Sequence, residues 1–285
     1  MSTQSTGESR IFSPTERAAF RDEGWLVRRN YLPVEAVAAA REAVRQCAER
    51  DVGKPSERFR RREIAGLIGD EVRRAIEELV DGRPTFPLSA PQPLFTPPDA
   101  ASWTVPHALW HLDLPRFSEA GLPGVQVFTF LDTVVPGGGG TLIVAGSHRL
   151  LNEPRFLRSQ EAKRLLKREP YFRDLLSADS GDRSRFLAEA GRAGEVTVRV
   201  VELCGEPGDV YLTDLRLLHT IAPNASDRPR IMLTQRYLLE AFRDAVLDPA
   251  GPKTQGSDGG SPSVGPRRDT CPAAPLRVCT RAKET

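Results

Sequence analysis

The spacing of hydrophobic positions changes character part-way along the chain. Before residue 80 they recur every three or four residues, as on one face of a helix, and after residue 103 they come in short runs cut by turn residues. Ser13-Pro14-Thr15-Glu16 has the form of a capping box with proline at the first helical position, so a helix is expected from there to Gly24, which ends it. A short strand at 25–27 follows. Pro33 opens a longer helix to about residue 50, with Val34, Val37, Ala38, Ala40, Val44 and Cys47 on its apolar face, and the pattern is helical again over 64–80. Pro84, Pro87, Pro91, Pro93, Pro97 and Pro98 then exclude a continuous helix or a central strand, leaving extended, edge-like chain.

Seven β-like runs come next, at 108–113, 125–131, 141–144, 196–203, 209–212, 217–221 and 231–239. Short strands with Gly, Pro and Asn turns point to an antiparallel sandwich or barrel, a mainly β fold with flanking α-helices. The series is interrupted at 150–193 by helical, heavily charged sequence, either a lid over a site or a surface excursion. Residues 1–12 and 249–285 are polar or rich in Gly, Ser, Pro and Thr and are expected to be disordered, leaving 13–248 as a single domain.

Charge narrows the possible partners. Forty Lys and Arg stand against 38 Asp and Glu, a net charge of +2, so the basic field of a nucleic-acid binder is missing. The basic run at 51–63, with Arg58, Arg60, Arg61 and Arg62, reads as a solvated face. No stretch approaches the roughly 18 apolar residues of a membrane span, and residues 1–10 lack an apolar leader. Cys47, Cys204, Cys271 and Cys279 form neither a disulfide framework nor a CxxC pattern. A cytoplasmic protein acting on a small molecule, with neither nucleic acid nor membrane as partner, is the expectation.

There are four histidines, His107, His111, His148 and His219. His111 and Asp113 stand two apart in a predicted strand, where side chains alternate, so imidazole and carboxylate share a face. The pair alone is a weak motif, and His219, in the β-like run 217–221, can complete it. Two histidines and one carboxylate with open positions beside them form the facial triad suited to Fe(II) and oxygen chemistry, whereas structural zinc would want four protein ligands. Arg230 follows across the turn-like segment 222–229, and a hairpin there would set it beside His219, facing the same cavity. A guanidinium near a metal suits a dicarboxylate whose far end needs an ion pair, although Arg228 or Arg236 could do the same work.

These pieces occur in a particular order. His111-Leu112-Asp113 is followed by Gly138-Gly139-Gly140-Thr141, Ala145-Gly146-Ser147-His148, Pro207-Gly208-Asp209-Val210, His219, Pro223-Asn224 and Arg230. Over about residues 20–237 the series closely resembles the motifs of the phytanoyl-CoA dioxygenase family, a branch of the Fe(II)/2-oxoglutarate-dependent oxygenases. The resemblance implies a double-stranded β-helix, the jelly-roll or cupin-like core, with helices before it. It also implies that His111, Asp113 and His219 hold Fe(II) and that Arg230 grips the distal carboxylate of 2-oxoglutarate. Two departures from the family pattern, Ala145 in place of a proline and Gly138-Gly139 in place of Asn-Gly, touch no ligand and should alter only the local turns.

Other candidates rest on position. Thr141 could hydrogen-bond 2-oxoglutarate, and Gln126, in the run after the HxD motif, could point into the cavity. His107 is a candidate for the substrate entrance, with Trp110, Phe128 and Phe130 as pocket walls or core. His148 reads as a turn-stabilising residue. By analogy with the family, O2 and 2-oxoglutarate would be consumed to give succinate, CO2 and an oxidised substrate C–H, with hydroxylation, desaturation, epoxidation or ring formation as outcomes. A related halogenase would need a small residue where Asp113 stands. The competing classes are a catalytically silent jelly roll that binds a small molecule, and a metal-dependent oxygenase that does not use 2-oxoglutarate and so leaves Arg230 without a cosubstrate.

Overall fold

The structure is a computed structural model that describes residues 11–49, 61–113, 121–152 and 159–244, with side chains described for all but 48 and 49. The expectations for residues 1–10, for the basic run at 51–60 and for the tail from 249 lie outside the described residues. Ile11 and Phe12, which the sequence assigns to a disordered arm, belong to the fold. Their amides donate to the Glu78 carboxylate at 3.0 and 3.1 Å, and the Phe12 ring is fully buried. An apolar pair at the edge of a polar arm is too short a signal to show as periodicity.

Among the described residues four helices precede the β core: α1 (Pro14–Glu23), α2 (Val34–Glu49), α3 (Arg62–Leu67) and α4 (Asp70–Leu79), with strand β1 (Trp25–Arg28) after the first. The Ser13 capping box forms as expected, with Ser13 Oγ accepting from the Glu16 amide and the Glu16 carboxylate accepting from the Ser13 amide. The helical pattern at 64–80 is broken into two helices at Ile68-Gly69. Both edge strands of the proline-rich stretch, β2 (Thr85–Pro87) and β3 (Gln92–Thr96), lie along one side of β10 (Arg230–Leu239). That is the edge-like placement the prolines dictate.

Two sheets make the core. The larger runs β1, β8 (Val210–Asp214), β4 (Gly124–Phe130), β10 and β2, with β3 also paired to β10; the smaller runs β6 (Gly191–Ala193), β7 (Val196–Glu202), β5 (Thr141–Ala145) and β9 (His219–Ile221). All pairs are antiparallel. Alternation decides which side each residue serves. On β4 and β10, Val125, Val127, Ile231 and Leu233 join the larger hydrophobic cluster with the N-terminal helices, whereas Phe128, Phe130 and Met232 join Tyr211, Ile143, Leu203 and Leu217 in a second, smaller one. The second cluster lies between the sheets, and Gln126, Thr234, Arg230 and Arg236 fall on the same alternate face.

The run at 108–113 is not a strand. It makes a single bridge, His111 to His219, in which each amide donates to the other's carbonyl at 2.9 and 3.1 Å. The interruption at 150–193 holds α5 (Ser159–Leu166), α6 (Pro170–Leu175) and α7 (Arg185–Ala188) before ending in β6. Ala162, Leu166, Phe172, Leu175 and Phe186 are buried in one cluster with Leu142, Val144, Val198 and Val200, so the segment is anchored on the smaller sheet. Arg183 ties it to the chain leading to the HxD motif, donating to the carbonyls of Val105 (2.5 Å), Pro106 (3.0 Å), Leu175 (2.6 Å) and Ser177 (2.8 Å).

Gly24 shows how tightly the N-terminal layer meets the site. Its φ of +83° is left-handed, its carbonyl accepts from the Asp214 amide, and an added Cβ would sit 2.6 Å from His148 Nδ1 and 3.0 Å from Leu217. Gly24→Ala is expected to cost roughly 2–4 kcal/mol by combining backbone strain with overpacking. The check is a thermal melt, in which the midpoint falls by roughly 5–15 °C.

Candidate active site

Two elements bring the three residues of the triad together. The 108–113 segment carries His111 and Asp113, with Leu112 turned the other way into the larger hydrophobic cluster, and β9 opens with His219. One ligand atom from each of the three residues lies within 4.8 Å of the others. Asp113 Oδ1 is 3.5 Å from His111 Nε2, and Oδ2 is 3.4 Å from His219 Nε2. The two imidazoles sit with centroids 4.3 Å apart, tilted by 53°.

The backbone fixes both rings. His111 Nδ1 meets the Leu109 carbonyl at 2.8 Å, and His219 Nδ1 meets the Leu217 carbonyl at 3.0 Å. A carbonyl can only accept, so the Nδ1–H of each ring is committed to the backbone and Nε2 is the nitrogen turned toward Asp113, the one a metal would take. Leu109 takes a left-handed φ of +63° beside His111, and its side chain is 73 % exposed. A leucine in that conformation is costly and here coincides with a carbonyl aimed at the His111 ring. On the other side, Ser147 Oγ accepts from the Leu218 amide, so the Gly146-Ser147-His148 turn braces the residue before His219. His148 itself bonds the Arg21 carbonyl through Nε2, away from the triad.

Asp113 is nearly enclosed, with 11 % of its side chain exposed. Burial opposes its charge, but His219, His111 and the Arg236 guanidinium beside it hold the carboxyl far below the usual range. His111 is lowered by burial and raised more strongly by its bonds to Asp113 and Leu109, for a net upward shift. One carboxylate and two imidazole Nε2 atoms on one side, with 42 % of the His111 side chain open, suit a divalent metal with free positions better than a closed structural site.

Among the three candidate arginines the burial differs sharply. Arg228 is exposed and paired with Asp227, and Arg236 is committed to Asp113. Arg230 is 1 % exposed, and its bonded partners are neutral: Thr96 Oγ1 at 2.6 Å, Thr141 Oγ1 at 3.3 Å and Met232 Sδ at 3.7 Å. Its Nε has no partner among the described residues, and burial pushes the guanidinium down to about 10, so it remains charged at neutral pH. A buried cation without a carboxylate costs stability, and an anion from outside would repay it. Thr141 thus falls beside Arg230. Thr96 does too, a residue the sequence did not mark, because its placement depends on β3 pairing with Arg230 at the edge of β10.

The remaining sequence candidates separate. Gln126 donates to Asp113 Oδ2 at 2.6 Å and to Thr234 Oγ1 at 3.1 Å. Phe128 presents its ring to His219, edge on, at 6.4 Å. Phe130 lies deeper in the same cluster against Tyr211. His107 is exposed and lines a groove with Leu109, Trp110, Gln160, Lys163, Arg164, Lys167 and Leu176. Trp110 is 1 % exposed, donates its indole N–H to the Pro106 carbonyl at 2.8 Å and packs in the larger cluster, away from the space between the sheets. The Gly138-Gly139-Gly140 turn lies on Asn224, with a bridge from Gly138 and room at Gly139 for no Cβ, since one would sit 2.9 Å from the Asn224 Cβ. Among the described residues no helix is long and apolar enough to cross a membrane.

Solved structures share this architecture. SnoK, described as a non-heme alpha ketoglutarate dependent carbocyclase from nogalamycin biosynthesis, is similar at a TM-score of 0.55 with 18% identity, over 80% of this chain and 84% of its own. EctD from S. alaskensis, solved with 2-oxoglutarate and 5-hydroxyectoine, is similar at 0.54 with 18% identity, over 84% of this chain and 79% of its own. The epimerase SnoN, also from nogalamycin biosynthesis, is similar at 0.52 with 18% identity, over 89% of this chain and 97% of its own. At such identities these likenesses establish the double-stranded β-helix fold. No curated protein matches the chain. The family model for phytanoyl-CoA dioxygenase (PhyH) matches residues 20–232, which includes the triad and Arg230. The chain therefore belongs to the phytanoyl-CoA dioxygenase family and is an Fe(II)/2-oxoglutarate-dependent dioxygenase.

Proposed function

We propose that the protein hydroxylates an unactivated C–H bond of a small natural-product or acyl substrate, with 2-oxoglutarate and O2 converted to succinate and CO2. The observation that carries the reading is a buried Arg230 with no acidic partner among the described residues, on the same alternate face of β10 as Arg236, which reaches Asp113 of the His111, Asp113 and His219 cluster. In this reading the two Nε2 atoms and one Asp113 oxygen hold Fe(II), and Arg230, with Thr141 and Thr96, receives the distal carboxylate of 2-oxoglutarate. Gln126 serves the site through Asp113. When bound, metal and cosubstrate supply the oxidant; the chain contributes position and the exclusion of water.

Phe128, edge on to His219, gives the site an apolar side that suits a C–H-rich substrate portion, and the groove lined by His107 and Leu109, on the segment that leads to His111, is the approach we assign to it. The names of SnoK and SnoN, both tied to nogalamycin biosynthesis, support a natural product over a primary metabolite. The test is a screen of such compounds with succinate release as readout and mass analysis of the product. A substrate-stimulated release with a product heavier by one oxygen atom is expected. A product lacking two hydrogens, or one of unchanged mass, would contradict hydroxylation while leaving the cosubstrate chemistry in place.

A further inference from the structure

Asp113 is held in an unusual way. Arg236 Nε donates to Oδ2 at 2.7 Å, Arg236 Nη2 lies 2.6 Å from the same oxygen, and Gln126 Nε2 donates to it at 2.6 Å. Oδ2 also lies 3.4 Å from His219 Nε2, whereas Oδ1 faces only His111 Nε2, at 3.5 Å, among the described residues. An arginine and a carboxylate left to themselves commonly form a fork with one N–H on each oxygen. Here both guanidinium nitrogens and the amide converge on one oxygen and leave the other to His111 alone.

We propose that Arg236 is a positioning residue that, together with Gln126, makes Asp113 a one-oxygen metal ligand. With Oδ2 occupied by donors, the lone pairs of Oδ1 are presented to the metal, the carboxylate cannot rotate to chelate through both oxygens, and a coordination position is saved for cosubstrate or O2. The placement follows from register. Arg236 pairs with Gln126 across β10 and β4, so two side chains on the same alternate face reach Asp113 from one direction. Thr234, two residues before Arg236, receives the second N–H of Gln126 and fixes its amide. Arg236 Nη1 is 3.5 Å from Gln92 Oε1 on β3, so the guanidinium is steadied from the far side as well.

The inference rests on the metal reading of His111, Asp113 and His219, and one experiment separates the two. Co(II) is titrated anaerobically into the full chain, and its d–d spectrum, which reports coordination number, is recorded with the affinity. Arg236→Lys keeps the charge but loses the planar N–H pair, so any change reads the hold on Oδ2 and not the local charge. Expected is a fall in Co(II) affinity of roughly 10- to 100-fold, the range for groups that orient a ligand, together with a weaker d–d spectrum as a second carboxylate oxygen joins the metal. Gln126→Met, which removes the other donor, should shift both readouts in the same direction, and it carries the test if Arg236→Lys does not fold. Arg228→Lys, at an exposed site on the turn, is the control and should match the wild type. Wild-type affinity and spectrum in Arg236→Lys and Gln126→Met, with Co(II) bound, would overturn the positioning role alone. Tighter binding in either would make the pair a mere competitor of the metal and overturn it too. Failure of the wild type to bind Co(II) would overturn the metal reading and this inference with it.

Discussion

Replacing Arg230 by methionine is expected to abolish detectable 2-oxoglutarate binding and, in the same protein, to raise the melting temperature of the ligand-free form. The two effects share one cause. Arg230 is 1 % exposed, bonded only to the Thr96 and Thr141 hydroxyls and the Met232 sulfur, and its Nε has no partner among the described residues. The fold therefore carries a desolvated cation at a cost of about 1–3 kcal/mol, which an apolar side chain of similar reach removes. For a domain of this size that corresponds to a rise of roughly 3–8 °C. The function loses what the fold gains. Two charge-assisted hydrogen bonds to a carboxylate are worth about 3–6 kcal/mol together, a loss of roughly 10²- to 10⁴-fold in affinity. Melting curves with and without 2-oxoglutarate read both at once: the wild type is stabilised by the ligand and the variant is not. A ligand-free variant that melts below the wild type, or one that 2-oxoglutarate still stabilises, would show that Arg230 is structural.

Asp113→Asn is expected to be as damaging as Asp113→Ala, against the usual ranking of a near-isosteric change. Arg236 and Gln126 both bring N–H groups to the Oδ2 position. An asparagine must turn its carbonyl oxygen toward them, because its own amide hydrogens would oppose three donors. The NH2 group then stands where Oδ1 was, and an amide nitrogen has no lone pair to offer a metal. Both variants should lose Fe(II) by more than the roughly 10- to 100-fold typical of removing a supporting group, and iron-dependent succinate formation should fall to background. Metal-binding titrations compare the three proteins directly. Retention of Fe(II) by Asp113→Asn at near wild-type affinity would mean that Asp113 is not a ligand or is not held as described.

Much of this architecture was legible in the residues, and the places where it was not have physical reasons. The β runs from 125 onward form strands within a few residues of their expected bounds, because they are short apolar runs, buried on both faces in β4, β5 and β8 and alternating buried with exposed in β7, and are closed by Gly, Pro or Asn. The HxD segment was expected as a strand and makes a single bridge, since Leu109 leaves the extended region to point its carbonyl at His111. The shared face of His111 and Asp113 survives, because an i, i+2 relation needs only local extension. Period-two spacing along Arg230-Ile231-Met232-Leu233-Thr234-Gln235-Arg236 places both arginines on one face, but which of them stays without a carboxylate depends on what lies opposite. That is set by the cross-strand register with Gln126 and by β3 bringing Thr96 alongside, both long-range pairings without a local signature. The same limit applies to Arg183, whose bonds run to carbonyls scattered from Val105 to Ser177.

The inserted helices also change the picture of the site's rim. Anchored by Phe172 and Phe186, they set α5 beside the segment leading to His111, and Ser159 at its start bonds both the amide and the carbonyl of Leu112. A shift of α5 would therefore move the residue between His111 and Asp113. The insertion, packed on the smaller sheet, thus shares hydrogen bonds with the residue between His111 and Asp113.

The measurement that bears most directly on the account is an anaerobic titration of the metal-free protein with Fe(II) and then 2-oxoglutarate, followed in the visible range. The account predicts a weak metal-to-ligand charge-transfer band that needs both components, persists in Arg228→Lys, and is absent in Arg230→Met and Asp113→Asn. Iron binding without such a band would contradict the role given to Arg230 and 2-oxoglutarate, and no iron binding at all would contradict the triad itself.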